Sequence, residues 1–170
     1  MIDLQQFCYT GTDKPKIVTP FTIGNYTYAT NRCFCIRVPR IEGAEERDVD
    51  VVKNFNSDPP VAWWDMPAPE TWVRHEDHCE ECGCHGYKPM VTPAGALGWK
   101  TLIYFAKLSN VKLAVPAVAV HDKPIRFTCN GAEGVAMPCA GPDDLALAKH
   151  AHDEFMARLK IGLDNLGLSL

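Results

Sequence analysis

Two tight-turn dipeptides, Gly24-Asn25 and Asn130-Gly131, each stand between short runs of strand-forming residues. Gly and Asn tolerate the left-handed backbone of a two-residue hairpin, so each dipeptide marks a place where one strand folds back on another. On the N-terminal side, residues 17–23 and 26–29 read as strands, and a turn at Thr30-Asn31-Arg32 leads into Cys33-Phe34-Cys35-Ile36-Arg37-Val38. Phe34, Ile36 and Val38 alternate with Cys33, Cys35 and Arg37, which puts the bulky apolar set on one sheet face. Pro39 closes the run, and a three-stranded meander is expected.

The C-terminal part repeats this style. Residues 89–92 read as a short strand. Trp99, Leu102, Ile103 and Ala106 recur at helical spacing and predict an amphipathic helix over 97–108. Residues 111–115 and 117–120 read as strands broken by Pro116, and 123–129 and 134–138 as two more joined at Asn130-Gly131-Ala132-Glu133. Pro142-Asp143-Asp144 is a helix start, with acids at the positive dipole end. Leu145, Ala148, His152, Phe155, Leu159 and Leu163 mark its inward stripe. His150 and His152 fall on different faces of that helix, one toward solvent and one packing. Leu4 to Cys8 fits a single helical turn.

At 170 residues, 46% hydrophobic and 22% charged, the chain has material for one domain with a real core. Its divisions are 1–40, 41–87, 88–140 and 141–170. No apolar run approaches the roughly 18 residues of a membrane span, and the first residues lack the basic and apolar regions of a signal peptide. The expectation is a soluble protein of the cytoplasm that does not engage membranes. The net charge of -4 conceals an asymmetry: residues 41–86 hold twelve acids against three bases, leaving a mildly basic body. In that acidic stretch the strand pattern dissolves around Asp58-Pro59-Pro60 and Met66-Pro67-Ala68-Pro69. Trp63, Trp64 and Trp72 lie there too. They are expected to pin an irregular excursion onto the body, with stacking on a base or peptide as the functional alternative.

The densest chemistry is His75-Glu76-Asp77-His78-Cys79-Glu80-Glu81-Cys82-Gly83-Cys84-His85-Gly86. Cys-x-x-Cys sets two thiolates on one turn so that both reach a single ion, and the glycines allow the backbone angles of a knuckle. Soft sulfur with imidazole selects zinc over magnesium or calcium. The expected ligands are Cys79, Cys82 and Cys84 with one of His75, His78 or His85. A closed set of four leaves no place for a substrate water, so the zinc would be structural. A redox dithiol is the rival reading, but it wants a helix start after a strand. The acids Glu76, Asp77, Glu80 and Glu81 form a candidate partner-binding surface. Of the eight cysteines, Cys8, Cys33, Cys35, Cys129 and Cys139 sit among apolar neighbours and read as small core residues.

The chain has no Gly-x-Ser-x-Gly elbow, His-Glu-x-x-His motif or phosphate loop, and His78-Cys79-Glu80 lacks the Pro-Cys-x-x-Cys of a nucleobase deaminase. A non-enzymatic role is expected, with a metal-dependent enzyme the least favoured class.

The segment from Phe21 to Val38, with Ala29-Thr30-Asn31-Arg32 before an apolar strand, resembles the strand–turn–strand of bacterial β sliding-clamp domains. The segments Leu102 to Leu108 and Pro124 to Pro138, closing on Met137-Pro138, are similar to the final helix and strands of such a domain. More closely, the arrangement resembles small phage and prophage proteins with two clamp-like halves around a Cys-x-x-Cys insertion. Asn31-Arg32 replaces the Asp-Gly of the clamp turn, and true clamps lack the insert. The resemblance implies an α+β fold of two antiparallel β halves with helices on one face, an irregular zinc-knuckle insertion and a C-terminal helix. Clamp helices line a DNA-encircling ring of six domains, so a single domain would have to form a homo-oligomer or act otherwise. Lys100, Lys107 and Lys112 are the candidate phosphate contacts, and DNA or a DNA-associated complex the implied partner. The alternative is a phage-encoded protein whose acidic insert inhibits a host or defence complex, for example of the CRISPR type.

Overall fold

The computed structural model describes residues 2–9, 17–50, 52–55, 59–74, 86–119, 123–138 and 141–168. A 3-10 turn, Leu4–Phe7, is capped by the Asp3 carboxylate, which accepts the Gln5 N–H. The expected meander follows as β1 (Phe21–Ile23), β2 (Tyr26–Thr30) and β3 (Phe34–Pro39). Then come β4 (Glu45–Glu46), β5 (Ala62–Asp65), β6 (Met90–Thr92), β7 (Gly95–Leu97) and the helix α1 (Trp99–Phe105). A second meander, β8 (Lys112–Val115), β9 (Ile125–Cys129) and β10 (Ala132–Ala136), precedes α2 (Pro142–Asn165).

The two halves fuse into one sheet. Its order is β4-β1-β2-β3-β10-β9-β8-β5, while β6 and β7 form a separate hairpin. The order reads alike from either end: each half supplies a short helical turn and a three-strand meander, and the last strands β3 and β10 pair antiparallel at the centre. The middle segment is therefore not wholly irregular. It provides both outer strands, β4 parallel to β1 and β5 antiparallel to β8. Acid and proline content hid these because both strands are short and lie at edges, where prolines and charges are tolerated.

Alternation assigns the faces. One face carries Ala29, Phe34, Ile36, Leu113, Ile125 and Phe127, and packs the main core. Both helical turns lie on it. Phe7 stacks on Phe34 at 5.6 Å, Phe34 meets Phe105 of α1 edge-on at 5.1 Å, and Phe127 lies 4.8 Å from Phe34 and 4.9 Å from Phe105. The opposite face holds a smaller cluster of Phe21, Tyr28, Cys35, Val135 and Phe55. There the Arg37 guanidinium lies 4.3 Å from the ring centres of both Tyr26 and Phe55, and donates to Glu133 at 3.1 and 2.5 Å. Planar charge between two rings holds the short turn Val52–Phe55 against the sheet.

Four readings change. The strand expected over 117–120 does not form in its described part: Pro116 offers no N–H, and its carbonyl is taken by His152 Nε2 at 2.9 Å. β10 starts at Ala132 because the hairpin uses only Asn130 and Gly131, at φ 44° and 81°. β1 is confined to three residues, and Ile17 instead accepts the Tyr9 N–H through its carbonyl. The strand expected over 89–92 forms as β6, but its hairpin partner β7 is not legible, because Gly95, at φ 140°, begins a strand that lacks β-branched residues. The terminal helix buries Ala148 and His152 and packs on β6 and β7, with Phe155, Leu159 and Leu163 half-buried. His150 is exposed, as its place on the other face required. Among the described residues no helix is long and apolar enough to cross a membrane.

Candidate functional site

The three lysines do not form one surface. Lys100 lies in the first turn of α1, its Nζ 5.6 Å from the Trp99 ring. Lys107 follows the helix, donates to the Gln6 carbonyl at 3.2 Å and sits 5.0 Å from the Tyr104 ring, tying α1 to the N-terminal turn. Both belong to the helix-bearing side. Lys112 alternates with the buried Leu113 and so points to the opposite sheet face, where Asp65 pairs with it at 3.3 Å. The sequence could place all three lysines but not the parity of β8 relative to the helices.

Cys79, Cys82, Cys84, His75, His78 and His85, with Glu76, Asp77, Glu80 and Glu81, lie outside the described residues. Their supporting base is described. Arg74 and Tyr87 form an antiparallel bridge, the Lys88 N–H donates to the Val73 carbonyl at 3.0 Å, and Arg74 donates to the Tyr87 hydroxyl at 2.8 Å. Trp72 and Tyr87 meet edge-on at 5.3 Å, and both are buried in the main core. The Trp72 indole also donates to the Pro67 carbonyl at 2.8 Å. The residues that flank the Cys/His segment, Arg74 and Tyr87, are thus brought together and anchored. Trp72 and Trp64 pack onto the body as expected, whereas Trp63 is exposed. The sequence does not mark Arg74 and Tyr87 as a pair; its one signal is an aromatic on each side of a polar run, Trp72 and Tyr87.

Cys8, Cys35 and Cys129 are buried free thiols, Cys33 is half-buried and Cys139 lies outside the described residues. Burial pushes the Cys35 thiol up to about 12 and Cys129 to about 11, and raises Cys8. At neutral pH these sulfurs carry protons and serve as packing groups. Among the described residues no group of three or more His, Cys, Asp or Glu side chains could hold a metal.

The raised thiols make stability pH-dependent. In the unfolded chain a thiol ionises near its ordinary value of about 9, while folded Cys35 keeps its proton until about 12. The unfolded state therefore binds fewer protons in that window, and stability falls as pH rises through it. Cys35 alone accounts for about 4 kcal/mol at the upper end. Cys35→Val should flatten the decline of melting temperature between pH 9 and 12; an unchanged decline would assign it to other groups.

The sequence matches no family model, and comparison with curated proteins and with solved structures yields no match for it.

Proposed function

We propose that this chain is a non-enzymatic, clamp-like protein of phage type that acts in the bacterial cytoplasm through macromolecular contacts in DNA metabolism. One observation carries the reading: two halves, each a short helical turn followed by a three-strand meander, with both turns on the same sheet face. That face is the one that clamp domains turn toward DNA. Lys100 and Lys107 lie on it and are the phosphate contacts of this reading, whereas Lys112 on the opposite face pairs with Asp65. Cys79, Cys82 and Cys84 with one of His75, His78 or His85 would hold a structural zinc; the donor set suits that ion, and the pairing of Arg74 with Tyr87 on either side of the segment supports the reading.

Two lysines per chain give weak, salt-sensitive binding. In a gel-shift titration, Lys100→Ala/Lys107→Ala should weaken duplex binding and reduce the slope of log affinity against log salt by about 2. A variant with unaltered affinity and slope would remove the helix side from consideration.

The pairing of Arg74 with Tyr87 also favours a second reading, in which the acidic segment between them docks on a basic host or defence complex. This predicts no DNA affinity and a capture from host lysate that disappears when Glu76, Asp77, Glu80 and Glu81 are neutralised together.

A further inference from the structure

The two ends of the sheet differ in chemistry. At one end β4 has only two residues, both glutamates, engaged by Arg47 at 2.7 Å and Arg40 at 2.6 Å. Charge and shortness guard that edge against further pairing. At the other end β5 reads Ala62-Trp63-Trp64-Asp65, and its one charge is already met by Lys112. Trp63 is 39% exposed, and the nearby Val61 and Val118 are exposed too. Among the described residues β5 has a partner strand on one side only, so alternate main-chain N–H and C=O groups point away from the sheet. An apolar, aromatic edge strand with no interior lysine or proline is a template for another strand.

We propose that this edge pairs with itself: two copies join β5 to β5 antiparallel about a two-fold axis perpendicular to the sheet. The identity of the occupant follows from the charge pattern. A head-to-tail contact would set β5 against the two glutamates of β4 and desolvate their ion pairs. Self-pairing opposes no like charges. With Trp63 opposite Trp63 of the second copy, Trp64 faces Ala62 and Asp65 faces Val61. Such an isologous contact uses the unguarded edge of both copies and closes, giving a dimer and not a ring. Because the axis is normal to the sheet, both helix-bearing faces lie on the same side, and Lys100 and Lys107 of the two copies share one surface. The pairing does not depend on DNA.

Sedimentation equilibrium of the full chain tests it. The wild type and Trp63→Phe should be dimers, Trp63→Lys a monomer with a native circular-dichroism spectrum, and Glu45→Ala/Glu46→Ala a dimer. The Trp63→Lys dissociation constant should exceed that of the wild type at least about tenfold. In wild-type protein, hydrogen-exchange protection of the outward-facing amides of Trp63 and Asp65 should rise with concentration. That readout stands even where Trp63→Lys fails to fold. A wild type that stays monomeric at about 100 μM, a dimer that survives Trp63→Lys, a trimer or larger ring, or protection independent of concentration would overturn the proposal.

Discussion

Gly134→Ala should cost about 3 kcal/mol and lower the melting temperature by about 10 °C, although the change adds one methyl group. Gly134 has ordinary strand geometry, so backbone freedom is not the reason. It stands opposite Phe127 in the β9–β10 ladder, and the Phe127 ring lies flat across it: a Cβ there would come within 2.0 Å of Phe127 Cζ and 2.2 Å of Cε1. The ring cannot retreat, because Phe34 and Phe105 pack against it at 4.8 and 4.9 Å. With total stability on the order of 5–15 kcal/mol, such a loss is large. Combining Gly134→Ala with Phe127→Leu should cost less than the two changes added together, since the smaller side chain leaves room for the methyl. A single mutant melting within 2 °C or so of wild type, judged against the few degrees per kcal/mol of a chain this size, would show that the strands separate to admit it.

If the Cys/His segment holds the proposed zinc, its withdrawal is the second large effect. The purified chain should carry one ion, lost in Cys79→Ser and in Cys82→Ser. Chelation should cost at least about 3 kcal/mol, since in small metal sites the binding energy is also ordering energy. The loss should be local. The strand pairing of the two meanders uses none of the proposed ligands, so far-UV circular dichroism should persist while proteases gain access between Arg74 and Tyr87. Purified protein without metal, melting at the same temperature with and without chelator, would end the zinc reading.

The legible parts of the fold were those where local chemistry and tertiary demand coincide. Gly24 and Asn130-Gly131 adopt the positive φ that marks a hairpin, and the Phe34-Ile36-Val38 alternation faces the main core. Pro142 opens α2, and the Asp144 carboxylate accepts the Gly141 N–H as a helix start requires. The outer strands were opaque because Glu45-Glu46 and Ala62-Trp63-Trp64-Asp65 owe their conformation to neighbours far away in sequence. The same holds at the candidate sites. Lysines can be counted in a sequence, but Lys112 leaves the helix side only through its register with Thr128 and Asp65. The aromatic sandwich around Arg37 joins β2, β3, β10 and the Val52–Phe55 turn, a convergence that no spacing rule encodes.

The seam between the halves also sets the order of assembly. Phe34 pairs with Ala136, so β3 has no neighbour on its inner side until β10, the last described strand of the sheet, has been synthesised. A nascent chain must keep Phe34 and Ile36 from foreign strands throughout that interval. Contacts of such long sequence separation belong to high contact order, which slows folding to milliseconds or longer and exposes apolar edges meanwhile. The central seam that unites the mature sheet is thus an edge that a growing chain leaves open until its last strand arrives.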